Sequence, residues 1–369
     1  MSEDGTARGG VAGPSADQSA EQFLPGRIVL TEFRHRQLSL REAIDVFQTI
    51  PAQWQLASLH PQMVEIDATR DALLHPVYWC FEAGDRRLMH SFQLADNPGL
   101  AIRDIQSAYG YGGPLSNCDD REFLKAAELA FAQWARGNDV IAEFLRFHPL
   151  VPHGKWYAGE IVNNRETVHI DLAGGLLEQY QHRRRTDVKR FLRSDLKVER
   201  VSPHIMTRVF PELYKKNMDH IGASPDYYFS DCYFDSLFSF QGTENWLAYS
   251  GTEAVAGAVM LVSKPAGVAE YFLGAKAPNS DEKKAMIGLL HFAADHYKLA
   301  SFRYLYLGGG RSVDSDDSLL FFKKGFSSLT GYYQIGCRVY DPENYARLKE
   351  MLSEKAATGR VLFYKGYSR

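Results

Sequence analysis

The chain has 369 residues, of which 45% are hydrophobic and 24% charged, and its net charge at pH 7 is -3. This length exceeds that of most single hydrophobic cores, so two domains are expected. The acidic balance argues against a protein dedicated to duplex nucleic acid, which needs a basic surface, and leaves room for a local phosphate site. No apolar run reaches the roughly 20 residues of a membrane span.

The first 25 residues are small and polar, with neither the basic start nor the apolar core of a secretory signal, and are predicted to be a disordered leader. The four cysteines, Cys80, Cys118, Cys232 and Cys337, lie far apart without a CxxC pair. This usage is typical of reduced thiols, so we expect a cytoplasmic protein without a structural metal.

The first half of the chain is predicted to mix strands and helices. A strand at 27–33 precedes a helix that Ser39 and Glu42 would open as a capping box. Further predicted elements are strands at 77–81 and 87–94, a helix at 121–136 capped by Asp119 or Asp120 and stopped by Gly137, a strand at 140–147, and a hairpin or two short strands at 161–172.

The second half has a clearer order of one strand, two helices, three antiparallel strands, and then helix, strand, helix, strand. Its predicted elements are a long helix at 176–194, a strand at 196–201, helices at 207–222 and 227–240, strands at 246–251, 254–263 and 267–275, a helix at 280–298 capped by Ser280, a strand at 301–307, a helix at 316–325 and a strand at 330–340. This is the order of the GNAT acyltransferase fold, and the first half partly echoes it. The fold class expected is therefore α/β with mixed sheets.

Three consecutive glycines, Gly308, Gly309 and Gly310, follow the strand predicted at 301–307. Ligands usually bind at the carboxyl ends of strands in open α/β sheets. The glycines would let the backbone approach a ligand with exposed N–H groups and no Cβ in the way. The alternative is a flexible surface loop.

A lysine pair, Lys323 and Lys324, follows Phe321 and Phe322 in the next helix. At helical spacing one lysine should follow the apolar face inward while the other points to water. The alternative is a solvated pair.

A second glycine-rich stretch has two tyrosines, Tyr109 and Tyr111, alternating with Gly110, Gly112 and Gly113. Strand interiors tolerate glycine poorly, so the pattern predicts a loop that holds two phenols next to open backbone. The alternative is a tyrosine-rich turn that packs on its own domain.

Residues 182–200 contain eight basic and three acidic residues, a local charge of +5. On a helix, Arg185, Lys189 and Arg193 would form one row, while Arg184 would fall near the apolar stripe. A buried Arg184 would need a carboxylate or phosphate partner. The row is either a solvated face or a phosphate site for a nucleotide-linked or lipid-linked acceptor, or for RNA.

Other chemistries have little support. His148 and His153 flank a proline-containing loop, and His291 and His296 are five residues apart on a helix, which does not place them on one face. The sequence has no GxSxG, HExxH or phosphate-loop motif, which argues against serine hydrolases, zincins and P-loop enzymes.

Four segments together resemble the FemAB-like branch of the GNAT superfamily. They are YGYGGP at 109–114, NNRETVHIDL at 163–172, the basic helix RTDVKRFLRS, and LGGG followed by DSLLFFKKGF at 307–326. They occur in the family's order over roughly residues 25–345. The resemblance implies two tandem GNAT-like domains with the active cleft between them, at 26–173 and 174–345, followed by a C-terminal helix and tail at 346–369.

The resemblance also assigns roles to residues. Phe322 and Lys323 match the family's Phe-Lys pair, in which the lysine neutralises negative charge near the reaction, and Tyr109 is the third catalytic candidate. The residues expected to bind substrate are Tyr111, Gly112, Gly113, Arg185, Lys189, Gly308, Gly309 and Gly310. The general base is left open among Tyr109, Asp171, Glu270 and a substrate amine that enters neutral.

The implied function is N-acylation of an amine on a cell-wall, polysaccharide or lipid-linked glycan precursor, with an acyl-CoA as co-substrate and no bound cofactor. One alternative is an aminoacyl-tRNA-dependent transferase of the peptidoglycan cross-bridge type, with tRNA as partner. Another is a noncatalytic glycan-binding or scaffold protein. The chain lacks the coiled-coil arm of some cross-bridge enzymes, and KAPNSDEKKAM stands where GNAT enzymes carry their CoA-pyrophosphate signature.

Overall fold

One mixed β-sheet runs through the described part of this computed structural model, which comprises residues 33–97, 101–278, 284–311 and 316–351. Its strands are β1 (Arg34–Gln37), β2 (Leu74–Ala83), β3 (Arg86–Asn97), β4 (Ile102–Gln106), β5 (Leu115–Ser116), β6 (Val140–Phe147), β7 (Glu160–Asp171), β8 (Leu196–Val201), β9 (Thr243–Ser250), β10 (Glu253–Ser263), β11 (Val268–Lys276), β12 (Tyr304–Gly309) and β13 (Thr330–Val339). The sheet order is β1-β2-β3-β4-β6-β13-β7-β12-β11-β10-β9-β8, and β5 pairs with β3.

The helices connect these strands, except the last one, which follows β13. They are α1 (Leu40–Phe47), α2 (Pro61–Ala68), α3 (Arg121–Gly137), α4 (Leu176–Gln179), α5 (His182–Leu192), α6 (Pro203–His220), α7 (Asp231–Ser239), α8 (Ala285–Leu299), α9 (Ser318–Lys324) and α10 (Pro342–Met351). Within the four described stretches, no helix is long and apolar enough to cross a bilayer.

The two halves of the chain repeat one series of elements. β1-α1-α2-β2-β3-β4-α3-β6 in the first half corresponds to β8-α6-α7-β9-β10-β11-α8-β12 in the second. In each half the last pair of this series, β4 with β6 or β11 with β12, is parallel, and a helix makes the crossover. The first half therefore repeats this series of elements from the second half, and the short strand β5, between β4 and α3, is an addition without a counterpart.

The strands that end each half are exchanged. β13 from the second half pairs with β6 of the first, and β7 from the first half pairs with β12 of the second. β7 and β13 also pair with each other, so one hydrogen-bonded ladder crosses the centre of the sheet. The division into domains at 26–173 and 174–345 remains a prediction.

Helices cover both faces of the second half of the sheet. Trp246 and Ala248 of β9 belong to the core with α5, α8 and α9, whereas Leu247 belongs to the core with α6 and α7. This alternation is the period of two expected of a strand buried on both faces.

Several predicted details are confirmed. Ser39 and Glu42 form the capping box of α1. Asp120, not Asp119, caps α3 by accepting the N–H groups of Glu122 and Phe123. Of the strand predicted at 27–33 only Phe33 is described and it is not in a strand, and Ser280 also lies outside the described residues.

Two predicted elements are wrong. Residues 161–172 do not form a hairpin or two short strands, because β7 is one strand whose polar residues are held extended by β13 on one edge and β12 on the other. The long helix at 176–194 is two helices, because Tyr180 has an extended backbone (ψ 141°) and buries its ring against Phe326.

The contact between α5 and α8 depends on Gly288. A Cβ at this position would lie 2.1 Å from the buried ring of Phe191. We expect Gly288→Ala to lower the free energy of unfolding by about 1–3 kcal/mol, the usual effect of overpacking a core. Urea unfolding measures the change.

Gly137→Ala is the matched control, since no atom lies within 4 Å of the Cβ it would add at the end of α3. Alanine is a better helix former than glycine by about 1 kcal/mol, so this variant should match or exceed the wild-type stability. Equal losses in the two variants would contradict the steric explanation.

Candidate active site

The parallel strands β11 and β12 separate after three residue pairs. Val268, Ala269 and Glu270 pair with Tyr304, Leu305 and Tyr306, respectively. Beyond Glu270, β11 continues to Lys276 with β10 as its partner, and β12 continues to Gly309 with β7 as its partner. Within the described residues, the two strands are therefore not paired with each other beyond this point.

The equivalent opening in the first half is filled by the chain itself. After β4 ends at Gln106, Ser107 N–H donates to Phe144 O (3.3 Å) on β6, and Gly112 N–H donates to Arg146 O (2.8 Å). The Ser107 hydroxyl accepts the Arg146 N–H (3.1 Å). Only the opening in the second half is thus free of such a backbone filling among the described residues.

The side chain of Lys323 lies where β11 and β12 separate. Its Nζ donates to Gly309 O on β12 (2.7 Å) and lies 5.9 Å from the centre of the Tyr271 ring on β11. Lys323 is 7% exposed. The inward lysine of the predicted pair is thus Lys323.

The other lysine has a different environment. Lys324 is half-buried and pairs with Glu166 of β7 at 2.7 Å. It therefore ties α9 to the sheet instead of pointing freely into water.

Burial changes the acid–base behaviour of Lys323. Desolvation disfavours the ammonium form and lowers the pKa of Lys323 to about 7, while the carboxylate of Asp317 opposes this shift. Both the neutral and the charged form are therefore well populated near neutral pH.

The three glycines shape the turn that carries Lys323 into this position. Gly308 has φ +77° and follows a bulge at Leu307, and a Cβ on it would lie 3.3 Å from Lys323 Nζ. A Cβ on Gly309 would lie 2.8 Å from Glu166 O, and one on Gly310 would lie 2.5 Å from Asp317 Oδ1. The described contacts of Gly309 and Gly310 are thus with the protein's own chain.

Asp317 holds the two ends of this turn together. Its carboxylate accepts the N–H groups of Arg311 and Leu320, both at 2.8 Å, and so caps α9. Asp317 thus links Arg311 to the first turn of α9, the helix that carries Lys323.

A buried arginine of α5 supports α9 from behind. Arg184 Nη2 donates to Phe322 O (2.7 Å), and its guanidinium lies 4.7 Å and 4.5 Å from the ring centres of Phe322 and Phe326. Asp187 is its carboxylate partner at 3.5 Å, and desolvation lowers the pKa of Arg184 to about 10. The contacts of Phe322 thus lie with Arg184 and Phe326, and its catalytic assignment stays a prediction.

The tyrosine-glycine loop of the first half reaches the same region. The Tyr111 and Tyr306 hydroxyls form a hydrogen bond, and a Cβ on Gly308 would lie 4.0 Å from Tyr306 Cε1. Burial raises the pKa of Tyr111 and of Tyr306, so both phenols stay protonated at neutral pH.

Tyr109 lies in a neighbouring aromatic cluster. Its ring packs edge-on against Tyr227, Phe229 and Phe272, and the Arg70 guanidinium lies 5.8 Å from its centre. Burial raises the pKa of Tyr109, so this phenol stays protonated and is not a base at neutral pH.

The remaining glycines of the loop fit tightly against their own half. A Cβ on Gly112 would lie 2.7 Å from Ser107 Cβ, and one on Gly113, whose φ is +121°, would lie 2.7 Å from the Phe147 ring. Their assignment to substrate binding remains a prediction. In the structure, close packing alone explains why each of these two positions is a glycine.

A histidine-carboxylate pair that sequence reasoning did not connect lies beside the tyrosines. His148 Nε2 is 3.1 Å from Glu270 Oε1, both side chains are buried, and Ser58 N–H donates to the other oxygen of Glu270 (3.1 Å). His148 Nδ1 accepts the Leu150 N–H, which places the proton of a neutral ring on Nε2. These residues come from three distant segments, so no spacing in the sequence signals the pair.

Three predicted residues are not seen at the strand separation. Arg185 Nη1 donates to Leu177 O (3.4 Å), and Lys189 is exposed, without a partner among the described residues. Asp171 accepts the Ala173 N–H and lies opposite Tyr304, at the end of β12 away from Gly309.

A cavity of about 750 Å³ lies elsewhere, between the start of β9 and the end of β10, with His60, Phe240 and Ser263 among its lining residues. Within the described ranges, no group of three or more His, Cys, Asp or Glu side chains could hold a metal ion.

Solved structures show which fold this is. FemX superposes with a TM-score of 0.62 at 12% identity, covering 86% of this chain and 100% of that chain. The C-terminal domain of a putative lysylphosphatidylglycerol synthetase from Agrobacterium fabrum gives 0.54 at 15% identity, covering 85% of this chain and 96% of that chain. L-PGS from Bacillus licheniformis gives 0.52 at 12% identity, covering 86% of this chain and 97% of that chain.

Comparisons of the sequence with known families and curated proteins found no match. No protein-family model matches the chain, and no curated protein matches it significantly by sequence. The structure has the FemAB-like, GNAT-type fold that the resemblance of the sequence implies.

The buried Lys323 should make stability depend on pH. Because its folded-state pKa is about 7 and its ordinary value is 10.5, the unfolded chain binds more protons between these pH values. The free energy of unfolding should therefore gain up to about 1.4 kcal/mol per pH unit from this residue as pH rises from about 7 to about 10. Lys323→Met should remove this gain.

Urea unfolding of the wild type, Lys323→Met and Lys324→Met across this pH range measures the effect. Subtracting the free energy of unfolding of Lys323→Met from that of the wild type removes the contributions of the other titrating groups. Lys324→Met controls for the loss of a lysine from α9. Parallel pH profiles for the wild type and Lys323→Met would contradict a depressed pKa.

Proposed function

We propose that this chain is an N-acyltransferase that transfers the acyl group of an acyl-CoA to an amine on a cell-wall, polysaccharide or lipid-linked glycan precursor. The observation that carries the proposal is the position of Lys323, whose ammonium is desolvated between two separated parallel strands. The FemAB-like GNAT-type fold supports the reaction class by analogy.

The separated edges of β11 and β12 fit an extended acyl donor. Beyond Glu270 and Tyr306 the described backbone is not paired across the gap between the two strands, so an extended chain could lie there and form backbone hydrogen bonds. The amides of a pantetheine arm would supply them in the manner of an added strand. The first half offers no equivalent place, because the loop after β4 fills it.

The reaction needs a proton acceptor and a positive charge. An amine with a pKa near 10.4 must lose a proton at pH 7, at a cost of about 4.6 kcal/mol. The acceptor amine loses this proton to solvent and attacks the thioester carbonyl carbon in its neutral form. The neutral form of Lys323 then takes the second proton from the nitrogen of the tetrahedral intermediate. The C–N bond forms, the C–S bond breaks, and the resulting ammonium stabilises the oxyanion and protonates the departing thiolate.

A tyrosine from each half contributes a phenol to this site. The Tyr111 and Tyr306 phenols, both protonated, adjoin the position of Lys323 through Gly308. Tyr109 and its aromatic neighbours would form the wall of the acceptor side. Arg185 and Lys189 of α5 would hold acceptor phosphates.

An aminoacyl-tRNA is the alternative donor, favoured by the absence of a CoA-pyrophosphate signature in KAPNSDEKKAM. Native mass spectrometry of the purified chain, offered acetyl-CoA and a charged tRNA pool together, separates the two. A CoA-sized adduct supports the proposal, and a tRNA-sized adduct assigns the chain to the alternative. Binding of neither would refute both donors.

Lys323→Ala should lower the turnover number of the acyl transfer at least about 100-fold, because it removes both the base and the charge. Lys324→Ala is the matched control, since Lys324 pairs with Glu166 and does not reach the strand separation. Turnover is followed as thiol release from acetyl-CoA in the presence of an amine acceptor. Wild-type turnover in a folded Lys323→Ala variant would remove Lys323 from the mechanism.

Arg185→Ala should raise the KM for a phosphate-bearing acceptor about tenfold and leave the turnover number nearly unchanged, as expected for loss of one phosphate contact. Steady-state kinetics with acceptors that differ only in the phosphate provide the measurement. An unchanged KM for the phosphorylated acceptor would rule out this role.

A further inference from the structure

The outer face of α5 carries a continuous basic stripe. Arg183, Lys189, Arg190 and Arg193 are exposed, at spacings of three, four and seven residues that place them on one side of the helix. The acidic residue within this helix, Asp187, pairs with the buried Arg184 and does not neutralise the stripe.

Apolar side chains border the same stripe. Leu177, Leu192 and Phe292 are 39%, 56% and 41% exposed, respectively. Leu177 lies beside α5 because its carbonyl accepts from Arg185, and Phe292 lies beside it because its ring packs 5.8 Å from that of Phe191. These exposed leucine and phenylalanine side chains and the neighbouring arginines give this surface both apolar and cationic character.

The charge of the chain is strongly uneven. Residues 182–200 carry +5 while the whole chain carries -3, so the remainder carries -8. An anionic surface would therefore attract residues 182–200 and repel the remainder of the chain. This difference would orient the protein before it touches the surface.

We propose that this α5 surface, formed by Arg183, Lys189, Arg190, Arg193, Leu177, Leu192 and Phe292, docks on an anionic lipid bilayer. The basic side chains pair with lipid phosphates, and the apolar side chains enter the boundary between headgroups and acyl chains. An RNA would match the charges but would leave the exposed leucines and phenylalanine without apolar partners.

Docking would bring the candidate active site close to the membrane. The inner face of α5 holds α9 through the Arg184 hydrogen bond to Phe322 O, one residue before Lys323. One helix, about 10 Å across, therefore separates the bilayer from the element that carries Lys323. This proposal adds to the proposed function a location, the membrane surface, at which the enzyme would meet its acceptor. Binding to the membrane does not itself depend on catalysis.

Cosedimentation with vesicles tests the proposal, using phosphatidylcholine alone and an equimolar mixture of phosphatidylcholine and phosphatidylglycerol. The full chain should bind the mixed vesicles and not the neutral ones. Raising the salt to about 1 M, where the screening length falls to about 3 Å, should release it.

Two variants separate charge from apolar contact. Arg183→Ala/Arg190→Ala/Arg193→Ala should weaken partition about 100-fold, which corresponds to roughly 1 kcal/mol for each lost cation. Leu192→Ser should weaken it about tenfold. The matched control is Arg208→Ala/Lys215→Ala/Lys216→Ala, which removes three exposed cations from α6 on the opposite face of the sheet and should bind like wild type.

Three results would overturn the proposal. They are equal binding to neutral and mixed vesicles, equal losses in the α5 and α6 triple variants, and displacement of the vesicles by tRNA with wild-type binding of Leu192→Ser. The last result would assign the surface to RNA. Acyl transfer to a soluble amine is measured separately, so failure of docking and failure of the proposed function are distinguishable.

Discussion

The desolvated ammonium of Lys323 is the constraint around which the centre of this molecule is arranged. A buried cation is stable only when its surroundings supply polar partners, and here Gly309 O is the direct one. Asp317 links Arg311 to the first turn of α9, Arg184 donates a hydrogen bond to Phe322 O of α9, and Lys324 pairs with Glu166 of β7. These contacts keep the Lys323 side chain buried although burial of its charge costs free energy. Residues with strongly shifted pKa values are common at catalytic sites.

The repeat of elements makes the difference between the halves informative. Both halves contain a parallel strand pair that separates, and in the first half the loop from Ser107 to Gly112 closes the gap with backbone hydrogen bonds. The same loop then extends Tyr111 toward Tyr306 of the second half. The loop of the first half thus packs against the strand separation of the second half. The two copies of the fold therefore have different roles.

The sequence predicts the elements well where local signals are strong, and less well where tertiary contacts decide. The capping box at Ser39 and the three antiparallel strands follow from residue types and periodicity. The continuity of β7 and the break at Tyr180 depend on neighbours distant in sequence. For the same reason the inward position of Lys323 follows from the helical pattern, whereas the pairing of His148 with Glu270 does not.

The exchange of β7 and β13 has a consequence for how the chain is made. The first half lacks the strand that borders β6 until residues 330–339 have been synthesised, because β13 takes that place. A nascent chain that has emerged only through β12 would present β6 as an unpaired sheet edge, a known template for aggregation. The two copies therefore mature together, and a gene split between them would yield two incomplete sheets.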